Sequence, residues 1–154
     1  MYPHCNERPA QITNLGLGLD DNARKARVHS LTEANPVFET IQLWMKGEGF
    51  PQKDRFAVNL ALQEAFSNAV RHGNGGNPNK SVQIAYVVRK DEVVVEIEDQ
   101  GAGFDPNAVP NPLHAEHIDR CRCWGLFMMR AYTTWMSFNF RGNRVMFGRQ
   151  RSKD

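Results

Sequence analysis

The sequence predicts an α+β domain, a two-layer sandwich in which helices cover one face of a mixed, mainly antiparallel sheet. Three observations predict it. The stretch SVQIAYVVRKDEVVVEIEDQ alternates apolar and polar residues about a central RKDE, the period-two pattern of an antiparallel hairpin with one buried face. A second hairpin closes the chain, TWMSFNF and RVMFGRQ joined through RGN, with Gly142-Asn143 in its turn. Two earlier stretches, NPVFETIQLWMKGEGF and KDRFAVNLALQEAFSNAVRH, carry apolar residues at helical spacing. Helices segregated from an antiparallel sheet give two layers.

Composition sets the bounds. The chain has 154 residues and 41% hydrophobic content, enough for one domain with a real core. A formal charge of +2 is too near balance to argue for a nucleic-acid surface. The locally basic end RQRSKD reads as solvated. Three cysteines, Cys5, Cys121 and Cys123, leave one unpaired in any internal scheme, and MYPHCNERPA has no apolar signal core, so a reduced, cytoplasmic protein is expected. No apolar run reaches the roughly 20 residues that cross a bilayer as a helix, which argues against a membrane partner.

Residues 1–26 read as an extended or weakly ordered arm and 27–154 as the domain. ARVHSL is expected as a short strand. The first helix is expected after Asn35 as N-cap with Pro36 at its first position, Val37, Ile41 and Trp44 on one face, and Gly47 and Gly49 as its stop. The longest helix follows Pro51, with Asp54 near its start; Phe56, Val58, Leu62, Ala65 and Ala69 supply its packing surface. Beside them runs a stripe of Ala57, Ala61, Glu64 and Asn68, then Arg71 and His72. GNGGNPN is a loop. In the hairpin, Val82, Ile84 and Tyr86 share a face with Val93, Val95 and Ile97. Gly101 to about Cys123 is irregular, and loops of that length are usually functional or mobile. WGLFMMRAY resumes as a helix.

Glu64 and Asn68 lie four residues apart, about one helical turn, so a carboxylate and an amide project from one face. Alone, such a pair is a solvated stripe. A second segment, EDQGAGFDP, puts Asp99 at a strand end before Gly101 and Gly103, where glycines allow positive φ and close approach of backbone to a ligand. The carboxylate there can accept a hydrogen bond from an amino group such as that of adenine; alone, the segment is a common turn. Third, Gly125 is expected to open the helix GLFMMR, whose free N–H groups and dipole suit phosphate, although a glycine there also simply eases a turn.

In this order and spacing, EAFSNAVRHGN, DQGAGFDP, GLFMMR and the final RGNRV resemble the Bergerat-fold, histidine kinase-like ATPases, and within them the bacterial anti-sigma factor serine kinases. The likeness runs from about Leu31 to Arg149. It implies ATP and Mg²⁺ as cofactors, with Asn68 holding Mg²⁺ against the phosphates and Glu64 as general base. It also implies Asp99 as the adenine-binding carboxylate, Gly101 and Gly103 beside the base, residues 104–124 as the lid, and Gly125 as the last glycine of the phosphate box. His72 and Leu126 join the nucleotide-binding set on the same ground. The chemistry is coherent: a carboxylate one turn from the metal-holding amide can take the proton of a seryl hydroxyl attacking the γ-phosphate.

One departure stands out. Related sequences usually read Gly-Arg-Gly-Leu before this helix, whereas CRCWGLFMMR places Cys123 and Trp124 at the glycine and arginine positions, where a side chain can crowd phosphates or forbid a positive φ. The same stretch sets His114, His117, Cys121 and Cys123 within ten residues, but C-x-C is not the usual zinc spacing and the histidines read as solvated. Trp44, Trp135 and Phe138 are expected in core or helix–sheet packing, and Met128 and Met129 in a packed helix. Arg120 and Arg122 read as solvated, within reach of a γ-phosphate if the lid closes.

The resemblance thus implies a protein serine/threonine kinase that phosphorylates an anti-anti-sigma (STAS-like) partner and sequesters a sigma factor, and a homodimer formed through the helix after Asn35. The departure at Cys123 keeps open a partner-switching module that transfers no phosphate. A free-standing ATPase is a third reading, disfavoured because the transducer domain of related ATPases is missing from these 154 residues.

Overall fold

The computed structural model describes residue 19, residues 21–108, residue 113 and residues 121–153, with 121–123 described by backbone alone. The predicted arm thus lies largely outside the described residues. Five strands and three α-helices are present among those described: β1 (Arg24–Val28), α1 (Leu31–Gly47), α2 (Gln52–Asn68), β2 (Val82–Val88), β3 (Glu92–Glu98), α3 (Cys121–Tyr132), β4 (Trp135–Phe138) and β5 (Arg144–Gln150). The sheet order is β1-β2-β3-β5-β4. Every described pairing is antiparallel, and the two-layer α+β expectation holds. β1 begins at Arg24, inside the stretch expected as arm.

The hairpin register puts Ile84 opposite Ile97 and Tyr86 opposite Val95, as the alternation requires. With Val82, Val93, Val145 and Phe147 these residues form the helix-facing side of the sheet, all buried. From above, α1 supplies Ala34, Phe38, Ile41 and Met45, α2 supplies Val58, Leu62, Ala65 and Phe66, and α3 supplies Leu126 and Met129. Phe38 meets Phe66 edge to face at 5.9 Å, clamping α1 to α2.

Four expectations are corrected. Helix α1 starts at Leu31, not after Asn35, because Ser30 caps it: its Oγ accepts from the Glu33 N–H at 3.3 Å while Glu33 Oε2 accepts from the His29 N–H at 2.8 Å. Pro36 therefore lies inside the helix. Trp44 makes the expected helix–sheet contact, tilting against Tyr86 at 5.8 Å, but is 36% exposed rather than core, with the Arg24 guanidinium 4.5 Å above its ring. Phe56 is 60% exposed rather than part of the packing surface. The expected α-helix does not run evenly through His72 but widens into a π-helical turn over Ala69–Gly73. By contrast, Phe138 is buried as expected. Trp135 lies half-buried on the sheet's other face, over Gly148, with its Nε1 donating to Glu92 Oε1 at 2.7 Å.

Candidate functional site

The end of α2 carries Glu64 and Asn68, both half-buried and one turn apart. Gly125 of α3 lies directly against them. A β-carbon added there would stand 2.9 Å from Glu64 Oε2 and 3.1 Å from Asn68 Nδ2. At the other end of the contact, Tyr132 meets Phe56 edge on at 6.2 Å. Helix α3 therefore runs antiparallel along α2, its early residues beside α2's end. Ala57 and Ala61, on the stripe that leads to Glu64, are buried. Small side chains there let the two helix backbones approach closely, so the low stripe serves α3.

Gly125 does not open this helix, contrary to the expectation from sequence. Helix α3 begins at Cys121 and Gly125 is its fifth residue. Residues with side chains propagate a helix better than glycine, by up to about 1 kcal/mol per residue, and CRCW lacks the glycine that would have stopped it. As the fifth residue, Gly125 has the Cys121 carbonyl four positions back to accept its N–H, so the free donors of the helix start lie ahead of it. For Cys123, helical backbone removes the concern over positive φ, because any residue adopts it.

Past Asn68, the π turn carries the chain to the second motif. Gly73 has no side chain, and a β-carbon on it would overlap the Asp99 carboxylate; one on Gly101 would overlap the Gly73 carbonyl. Asp99 Oδ1 accepts from the Gly101 N–H at 2.8 Å. Gly103, at φ +85°, lies against the Arg141 carbonyl, a left-handed conformation that favours glycine. The β4–β5 turn supports this loop from behind. Arg141 Nη2 donates to Gly101 O at 3.0 Å, Asn143 Nδ2 donates to Asp99 O at 3.1 Å, and the Asp99 N–H donates to Asn143 O at 2.9 Å. Glu64, Asn68 and Gly125 thus meet at one end of the π turn, and Asp99 with Gly101 and Gly103 at the other.

The remaining expected residues fall elsewhere. His72 is exposed on the π turn. Leu126 is 3% exposed in the core, so its side chain packs and has no surface to offer a nucleotide. Trp124 is half-buried, edge on to Phe127 at 5.9 Å. His114, His117, Arg120 and the side chains of Cys121, Arg122 and Cys123 lie outside the described residues. At the α2 end the oxygen donors are one carboxylate and one amide. Such a pair suits Mg²⁺, a hard cation that takes few protein ligands and completes its shell with phosphate oxygens and water. Among the described residues no three His, Cys, Asp or Glu side chains group to hold a metal by themselves.

Sequence reasoning missed two structural clusters. In the sequence Asp54 reads only as an acid near a helix start, yet it is fully buried and collects four hydrogen bonds. Arg149 Nε and Nη2 donate to Oδ1 at 3.1 and 2.8 Å, and the Ser152 N–H and Oγ donate to Oδ2 and Oδ1, each at 2.7 Å. Arg149 Nη1 also donates to Tyr132 O at 3.1 Å, tying the end of α3 to the start of α2. Burial alone would push the Asp54 carboxyl up, but the bonds from Ser152 and Arg149 outweigh it and hold its pKa below the ordinary value. On the sheet's outer face burial pushes Glu96 up, reinforced by Glu98 and opposed by Arg144 and Lys25. The other missed cluster surrounds Asn74, which GNGGNPN disguised as a plain loop residue.

An antiparallel sheet under three helices, with the amide–carboxylate pair and the aspartate–glycine loop at the two ends of one turn, defines a class of ATP-handling domain. Residues 25–148 match the histidine kinase-like ATPase domain, and the chain belongs to that family. Among curated relatives it is similar to the serine-protein kinase RsbW of Oceanobacillus iheyensis, 28% identical over 89 residues. That alignment takes in 54% of this chain and 56% of the relative, so the chain spans about half the length of the curated relative it matches. No helix among the described residues is long and apolar enough to cross a membrane.

Proposed function

We propose that this chain binds ATP with Mg²⁺ and transfers the γ-phosphoryl group to a seryl hydroxyl of an anti-anti-sigma protein, and that phosphorylation of this partner frees the chain to hold a sigma factor. One observation carries the reading: a single π turn links Glu64 and Asn68, which face Gly125, to Asp99, which packs on Gly73. In this reading Asp99 accepts from the adenine amino group and Asn68 offers its amide oxygen to the metal. Bound Mg²⁺ supplies positive charge against the phosphate oxygens. Glu64 takes the proton as the seryl oxygen bonds to the γ-phosphorus and the bond to the β-phosphate bridging oxygen breaks, releasing ADP. The name of the relative, a serine-protein kinase, supports the acceptor class.

The test incubates the protein with γ-labelled ATP, Mg²⁺ and a candidate anti-anti-sigma domain. Label on a partner serine, absent with Glu64→Gln, is expected. A tight complex without label favours the second reading, a partner-switching module. That reading is supported by Gly125 lying within α3 instead of offering a free N–H at its start.

A further inference from the structure

The loop that carries Asp99 is anchored by a side chain outside the motifs. Asn74 ends the π turn and is 4% exposed. Its Nδ2 donates to Ser81 O at 3.0 Å and its Oδ1 accepts from the Gln100 N–H at 2.8 Å. Its own N–H donates to Ala69 O at 2.8 Å, five residues back. Gln100 reaches back in turn, Oε1 accepting from the Ser81 N–H at 2.7 Å. One buried amide therefore joins three segments: the extension of α2, the residue before β2, and the residue between Asp99 and Gly101. A buried amide satisfied at both ends has one geometry, and losing either partner strands a polar group.

We propose that Asn74 is a positioning residue for nucleotide recognition: it fixes where the Asp99 carboxylate stands relative to Asn68, and so sets the preference for adenine. The inference rests on the ATP reading above. Two successive loop amides are held by side-chain oxygens, Gln100 N–H by Asn74 and Gly101 N–H by Asp99 itself. If the Asn74 oxygen is removed, the peptide between Asp99 and Gln100 is held only at its carbonyl, by Asn143, and pivots about that bond, turning the carboxylate with it. Asn68 belongs to α2, upstream of that break, and keeps its place. Asn74 therefore acts on base recognition and leaves the phosphate end alone.

Adenosine and inosine triphosphates separate these ends, since they share phosphates while inosine has a carbonyl where adenine has its amino donor. Calorimetric Kd values for both, with Mg²⁺, would be measured for wild type, Asn74→Ala and Asn74→Asp. In parallel, hydrogen exchange of the Gln100 and Gly101 amides would be followed without nucleotide. Asn74→Ala is expected to weaken ATP about tenfold, the worth of one well-placed hydrogen bond, while the inosine nucleotide is unchanged. Gln100 and Gly101 exchange should quicken by a similar factor. Asn74→Asp keeps an acceptor for Gln100 and should restore slow Gln100 exchange and part of the ATP preference. Should Asn74→Ala fail to fold, Asn74→Ser, too short to span both partners, replaces it with the same expectation.

Equal weakening of both nucleotides, an unchanged preference, or unchanged exchange overturns the proposal. If the wild type binds neither nucleotide, the ATP reading falls by itself, and the exchange data still decide whether Asn74 holds the loop.

Discussion

Gly125→Ala should raise stability and lower activity together. Gly125 is interior to α3 and its backbone is not left-handed, so alanine fits the helix. Helix propensity alone favours the change by about 0.8–1 kcal/mol. The new methyl would stand 2.9 Å from Glu64 Oε2, whereas ordinary contact begins near 3.4 Å, so the carboxylate must retreat by about 0.5 Å. It is the far end of a flexible, half-buried side chain, and it yields without cost to the fold. For a domain of this size the net gain should raise Tm by about 2 °C. If Glu64 is the general base, as proposed, a shift of this size from the attacking hydroxyl should slow phosphoryl transfer about tenfold, since about 1 Å of misplacement can cost a hundredfold. The assay pairs thermal melts with single-turnover loss of label from γ-labelled ATP in the presence of the acceptor protein. An unchanged transfer rate would mean that Gly125 does not face the reacting carboxylate. A fall in Tm would mean that α3 cannot yield over α2, and the packing argument would fail.

Other substitutions probe the remaining parts. Asn68→Ala should abolish the Mg²⁺-dependent part of ATP binding in calorimetry and shift the folding free energy by no more than about 1 kcal/mol; binding that survives with its Mg²⁺ dependence intact returns Asn68 to a plain polar stripe. Asp54→Ala should destabilise by about 2–4 kcal/mol in urea melts, below the figure for a fully buried pair because Arg149 is partly exposed. The depressed pKa of Asp54 means that its contribution is present above the unfolded carboxyl value and is lost as pH falls through the folded one. The urea midpoint of wild type should therefore drop on acidification below about pH 4, and that of Asp54→Ala should drop less. Glu96 has the opposite sign: its raised pKa means stability that is full below the unfolded value and is lost as pH rises through the folded one. Glu96→Gln should thus raise the urea midpoint at pH 7 and lose that advantage in acid, and an equal midpoint at pH 7 would contradict it.

The parts legible from sequence were those whose period matches their environment. Val82, Ile84 and Tyr86 alternate because one sheet face is buried, and their register followed directly. Errors arose where a local signal had a competitor. Asn35-Pro36 looks like a helix start, but Ser30 with Glu33 is the cap that forms, and Pro36 sits inside the helix. Gly125 looks like a helix start too, until CRCW continues the helix upstream. Trp44 has the right phase for the core but lies at the margin, where the edge strand offers Arg24 as a partner. Tertiary hydrogen bonds leave no periodic trace at all. Nothing in the spacing of Asp54 and Arg149, or of Asn74 and Gln100, announces that they meet.

The π turn shows why the site's motifs need their separation in sequence. An α-helix continued from Asn68 would bond each N–H four residues back and turn about 100° per residue. Here the Asn74 N–H reaches five back, to Ala69 O, and the Gly76 N–H six back, to Val70 O. The wider turn winds more slowly and changes the direction in which Gly73 leaves α2. Gly73 is the residue that must sit on the Asp99 carboxylate, and it lacks a side chain because none would fit. Single π turns recur at functional sites because they re-aim residues at a helix end without breaking its hydrogen bonds. Here the turn sets the offset between a face that can hold phosphates and a carboxylate that can read a base. Substituting Gly73, though it touches no nucleotide in this reading, should therefore damage base recognition as directly as substituting Asp99.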